Sequence, residues 1–166
     1  MLLGAQLELI AGRPANALKS FEAAEKWKSA RMTPRQQLEH QLLVLTGVTV
    51  SQARLGRVHE AQRSLVNLKS FLREELPGPL AGDSLVFASG AVAQARRRPR
   101  DAIESWLNCS PGFSLCRLSL LELQERAGDK SAAAETRAAM LDATKRDPRS
   151  WFVRARLEAK RRISGT

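Results

Sequence analysis

The stretch "GRPANALKSFEAAEKW", Gly12–Trp27, decides how the chain folds. Five residues after its glycine stands Ala17, nine after stands Phe21, and twelve after stands Ala24. The last two intervals, four and three residues, place all three side chains on one stripe of an α-helix. A small alanine lets the preceding helix approach closely, a large residue one turn later fills the space beyond it, and glycine suits the tight turn between them. The same offsets recur three times: from Gly56 they give Ala61, Leu65 and Leu68, from Arg97 Ala102, Trp106 and Cys109, and from Gly128 Ala133, Arg137 and Met140.

Before each turn lies a largely apolar helical segment, at 2–11, 35–55, 84–96 and 114–127. Thr33-Pro34 reads as an N-cap followed by proline at the first helical position, and Asp83 as the cap of the third pair. Pro77-Gly78-Pro79 and Ser110-Pro111-Gly112 break the chain between pairs. Antiparallel helix pairs are therefore expected at about 1–30, 34–76, 83–109 and 113–145. A C-terminal helix over 149–162 follows, with Trp151, Phe152, Ala155 and Ala159 available for packing. The expected class is all-α, a single right-handed α-solenoid domain of about four pairs plus that helix. Abundant Ala, Leu, Arg, Glu and Gln, with no tyrosine and 5% aromatic residues, agree with it.

These residues resemble the tetratricopeptide repeat family, whose second helix carries A-x₃-F. Ala17-x₃-Phe21 and Ala102-x₃-Trp106 match, Ala61-x₃-Leu65 matches with an aliphatic residue, and Gly90 sits at the family's first-helix glycine. Ala5, Thr49 and Leu121 hold that place in the other units, Arg137 replaces the last aromatic, and the turns lie 44, 41 and 31 residues apart. The resemblance implies a non-catalytic adaptor or scaffold within a multi-subunit complex. It also implies a groove, lined by the first helix of each pair, that takes a partner helix or extended peptide. Carried over position by position, that groove comprises Gln6, Leu43, Thr46, Val50, Arg54, Ser84, Phe87, Ala91, Gln94, Leu115, Leu118, Glu122 and Arg126. For each leucine or valine among them the alternative is a plain core position. Chaperone-binding members hold a C-terminal carboxylate with basic and amide side chains. The matching positions here, Leu2, Gln6, Gly47, Ser84 and Ala88, cannot supply that clamp's charges.

No cofactor or catalytic motif is present: neither a G-x-G-x-x-G nor a G-x₄-G-K-[ST] loop occurs. His40 and His59 are the only histidines, and neither has a second ligand at helical spacing. Cys109 and Cys116 lack a zinc-ligand spacing and are expected as buried thiols. The chain start lacks the basic residues of a secretory signal, and no apolar run is long enough to span a bilayer. A reduced, intracellular protein is the expectation. Only about ten residues precede Gly12, so the start reads either as an early true terminus or as the edge of a longer protein. Leu2, Leu3, Leu7, Leu9 and Ile10 are not the polar cap a terminal repeat needs, so another element is expected to cover them.

The formal net charge is +10. It is concentrated in two places, an arginine knot (Arg96, Arg97, Arg98 and Arg100) and the C-terminal Arg154, Arg156, Lys160, Arg161 and Arg162. The alternative function is therefore a ribonucleoprotein or DNA-associated component touching RNA or DNA backbone through these cations. No aromatic platform for base stacking accompanies them. Asp101 and Glu104 stand close enough to offset part of the knot.

Overall fold

Four turns share one backbone geometry. Gly12, Gly56 and Gly128 have φ of 75°, 74° and 75°, and Arg97, alone among the described non-glycine residues in having positive φ, has 60°. In each, the N–H of this left-handed residue donates to the carbonyl three residues back: Gly12 to Leu9, Gly56 to Ala53, Arg97 to Gln94 and Gly128 to Glu125. The next N–H reaches back five residues, from Arg13 to Glu8, Arg57 to Gln52, Arg98 to Ala93 and Asp129 to Gln124. This Schellman arrangement closes the last carbonyls of one helix and turns the chain into the next. Arginine at Arg97 is disfavoured there by about 1–2 kcal/mol, because its Cβ crowds the following carbonyl.

The computed structural model describes residues 2–27, 32–75, 78–146, 155, 157 and 158. Among them the regular structure is helical: α1 (Leu2–Ile10), α2 (Pro14–Glu25), α3 (Pro34–Arg54), α4 (Val58–Glu75), α5 (Pro79–Ala95), α6 (Pro99–Leu107), α7 (Ser114–Ala127) and α8 (Lys130–Arg146). The chain divides into two compact units, Met1–Asn108 with α1 to α6 and Cys109–Thr166 with α7 and α8. Each unit has its own packing. Of the expected C-terminal helix over 149–162, Ala155, Leu157 and Glu158 are helical, and Leu157 is buried. The remaining positions lie outside the described residues.

Helix starts follow local chemistry. Thr33 forms a capping box with Gln36: its Oγ1 accepts from the Gln36 N–H at 3.3 Å, and its N–H donates to Gln36 Oε1 at 2.9 Å. Pro79 takes the first position of α5 after Gly78, so this helix starts five residues before the expected Ser84. Asp83 therefore lies inside α5 and is buried there, rather than capping it.

In the first unit, α3 packs on α1, α2, α4 and α5, and α5 packs also on α4 and α6. The turn-plus-five alanines Ala17, Ala61 and Ala102 have no exposed surface, and each N–H donates to the carbonyl just after its turn. Phe21 and Trp106, four residues on, are buried against glycines of neighbouring helices. A Cβ built at Gly47 of α3 would overlap the Phe21 ring, and one at Gly90 of α5 the Trp106 indole. Trp106 Nε1 also donates to the Phe87 carbonyl at 3.2 Å. Leu65 at the equivalent place is half-buried.

In the second unit, α7 packs on α8, and Ala133 and Met140 are buried. Arg137 holds the aromatic's place and pairs with Glu125 of α7, so an ion pair stands where the other unit has a ring.

Two hydroxyls within the first unit, Ser51 Oγ and Ser84 Oγ, are buried with no hydrogen-bond partner among the described residues. A buried polar atom left unsatisfied keeps its desolvation penalty. Ser84→Ala should therefore leave stability unchanged or raise it by up to about 1 kcal/mol in chemical denaturation.

Candidate partner-binding surface

Burial divides the expected groove. Thr46, Val50, Ser84, Phe87 and Ala91 are buried in the first unit, and Leu118 in the second. These positions are core, correcting the expectation that they line a groove: α3 and α5 are covered on several sides by other helices. Thr46 Oγ1 is spent on the Leu42 carbonyl, at 2.7 Å. Arg54 is half-buried, and its Nη1 donates to the Leu9 carbonyl at 3.0 Å, closing the C-terminus of α1. Glu122 is nearly buried and pairs with the exposed Arg126 at 3.8 Å. Gln6, Leu43, Gln94 and Leu115 remain half-buried. The positions lie in both units and belong to two separate sets.

A cavity of about 330 Å³ opens elsewhere in the first unit, lined by Glu25, Trp27, Met32, Gln37, His40, Gln41, Val44 and Leu45. Gln37, His40, Gln41, Val44 and Leu45 follow helical spacing on α3, roughly a third of a turn round from Leu43, Val50 and Arg54. His40 is held in place, its Nε2 lying 3.0 Å from the Ala24 carbonyl at the end of α2. Trp27 stands 47% exposed, with its ring centroid 6.0 Å from that of His40 and the planes tilted by 48°. Buried Val44 and half-buried Leu45 and Met32 make the apolar part, and Glu25, Gln37 and Gln41 the polar rim. A half-exposed indole over an apolar floor suits an apolar or aromatic side chain.

The spacing of His40 suggests no metal ligand and does not identify this cavity. The residues come from the end of α2 and the start of α3, and tertiary packing brings them together. The only advance signal is Trp27 itself, a large ring beyond the buried stripe.

The arginine knot lies at the α5–α6 joint, and Arg96, Arg97, Arg98 and Arg100 are all exposed. Arg98 pairs with Asp101. Its counterparts in the first two turns also pair with an acid, Arg13 with Glu8 and Arg57 with Glu60. The Arg13 hydrogen bond holds the Glu8 carboxyl below its usual range. Arg154, Arg156, Lys160, Arg161 and Arg162 lie outside the described residues.

Cys109 and Cys116 form a disulfide across the loop that precedes α7, which corrects the expectation of two buried thiols. Cysteine usage then no longer argues for a reduced compartment. No described helix is long and apolar enough to cross a membrane. Among the described residues, no group of three or more His, Cys, Asp or Glu is placed to hold a metal ion. No family model matches the chain, and neither a curated protein nor a solved structure matches it.

Proposed function

We propose that this chain is a tetratricopeptide-like helical-repeat scaffold, built of antiparallel helix pairs, that binds a protein partner without catalysing a reaction. One observation carries the reading: the same left-handed turn, followed five residues later by a buried alanine, occurs four times. The succession of α1, α3 and α5, each packed on the next, supports it further, as first helices stack in such arrays.

The partner segment is a helix or an extended peptide, and it anchors an apolar or aromatic side chain in the α2–α3 cavity. That cavity replaces most of the groove as the docking point, since Val50, Phe87 and Ala91 already serve the core. Leu43 and Gln94 remain available on the neighbouring face.

A photoreactive residue at exposed Gln41, on the cavity rim, tests this against one at exposed Glu22 of α2. The Gln41 probe should capture a partner that the Glu22 probe does not, and Trp27→Ala should reduce that capture tenfold or more, as loss of an aromatic anchor does. Trp27 is half exposed, so the melting temperature should move by only a few degrees. Equal capture from both positions, or capture indifferent to Trp27→Ala, would reject the cavity as the docking point.

A further inference from the structure

We infer that Arg96, Arg97 and Arg100 form a contact site for the phosphodiester backbone of a nucleic acid, separate from the α2–α3 cavity. The comparison between joints separates these three arginines from Arg98. Arg98 follows the left-handed residue and pairs with a nearby acid, as Arg13 and Arg57 do. Its charge belongs to the joint.

The other three do not. The position of Arg96 is held by Ala11, Leu55 and Ala127 in the other joints, that of Arg97 by Gly12, Gly56 and Gly128, and that of Arg100 by Ala15, His59 and Ser131. The same turn closes without a lysine or arginine at any of those places. All three arginines are exposed, and none makes an ion pair among the described residues.

Three joints use glycine where φ is positive, and this one uses Arg97 at 60°. A backbone outlier of this kind points towards a role for its side chain. Arg97 thus stands, flanked in the chain by Arg96 and Arg98, on a turn whose backbone hydrogen bonds match those of the glycine turns.

The chemistry of the patch selects the partner. Protein interfaces take arginine, but around an apolar core, and Arg96–Arg100 offers four guanidiniums and a proline with no such core. Phosphate contacts need only cationic donors, which arginine supplies as a planar fork. A chain of net charge +10 also steers towards a polyanion. No base edge is read, so binding is independent of sequence.

The test uses the full chain and two fluorescent 20-nucleotide probes of unrelated sequence, each single-stranded and as duplex, titrated across a salt series. Arg96→Ala/Arg97→Gly/Arg100→Ala should weaken binding equally for both sequences. It should lower the magnitude of the slope of log affinity against log salt by about 2–3 on duplex and about 2 on single strands, for three phosphates no longer neutralised. A charge-matched control, Lys19→Ala/Arg63→Ala/Lys69→Ala, changes exposed residues elsewhere in the unit and should leave most of the slope. Arg97→Gly alone should weaken binding while raising the melting temperature by about 2–4 °C, since glycine relieves the left-handed strain. Stability and binding moving in opposite directions is a result that a merely structural arginine would not give. The proposal is overturned if the control lowers the slope as much as the triple change, or if Arg97→Gly binds as wild type. It is also overturned if neither probe binds at 100 mM salt, or if an acidic peptide binds as tightly with the same arginine dependence.

Discussion

Trp106→Ala is expected to reduce the stability of the first unit by about 3–5 kcal/mol in chemical denaturation, as truncation of a buried tryptophan does. The indole is 2% exposed, lies against Gly90 of α5, and donates to the Phe87 carbonyl. Truncation removes the area buried on both helices and the donor together. The partner substitution makes the expectation specific. Gly90→Ala in the intact protein forces a methyl into the ring and should destabilise by about 1–3 kcal/mol. In the Trp106→Ala background that obstacle is gone. There the substitution should stabilise by up to about 1 kcal/mol, because alanine is the better helix former. A reversal of sign in the double-mutant cycle is the measurement to make. An unchanged cost for Gly90→Ala in both backgrounds would mean that the indole does not rest on that glycine.

Val50→Asp should unfold most of the first unit. Val50 has no exposed surface on α3, the helix packed against α1, α2, α4 and α5. An unpaired carboxylate there is destabilising by at least about 4 kcal/mol, a large part of the 5–15 kcal/mol that holds a typical domain. The loss has a pH signature. Burial raises the folded-state pKa of the new carboxyl above its unfolded value, so the unfolded state is favoured increasingly as pH rises past the unfolded pKa. Lowering the pH protonates the group and recovers part of the stability. Val50→Ala, which introduces no charge, should cost about 1–3 kcal/mol and show no such pH dependence. Circular dichroism melts at pH 5 and pH 8 separate the two. A carboxylate tolerated at Val50 would instead mean that this face of α3 is open, as a groove requires.

The register of turns was legible because a Schellman turn has a chemical signature: glycine at positive φ, then a fixed interval to a small buried residue. Even Arg97, which lacks the glycine, could be placed by its interval to Ala102 and Trp106. The faces of α3 were harder to read. The helix is covered on several sides, so Leu42, Val44, Thr46, Thr49, Val50 and Ser51 are all buried and the apolar stripe has no clear edge. Family positions such as Val50 and Phe87 then looked as suitable for a groove as for a core. The start of α5 is ambiguous in the sequence, because Pro77-Gly78-Pro79 marks a break without fixing on which side of Pro79 the helix begins. The α2–α3 cavity and the cysteine pair depend on residues brought together across loops, where no helical periodicity operates.

The left-handed turns also bear on how the chain folds. Each joint of two or three residues brings the ends of two helices together over a very short loop, and closing even a ten-residue loop takes about 10–100 ns. A helix and its successor can therefore dock before any distant contact forms. Topologies dominated by such local closures fold fast for their size. Arg97 then sits at a kinetic position as well as an exposed one: the joint that accepts a strained arginine is also the joint on which α5 and α6 must meet.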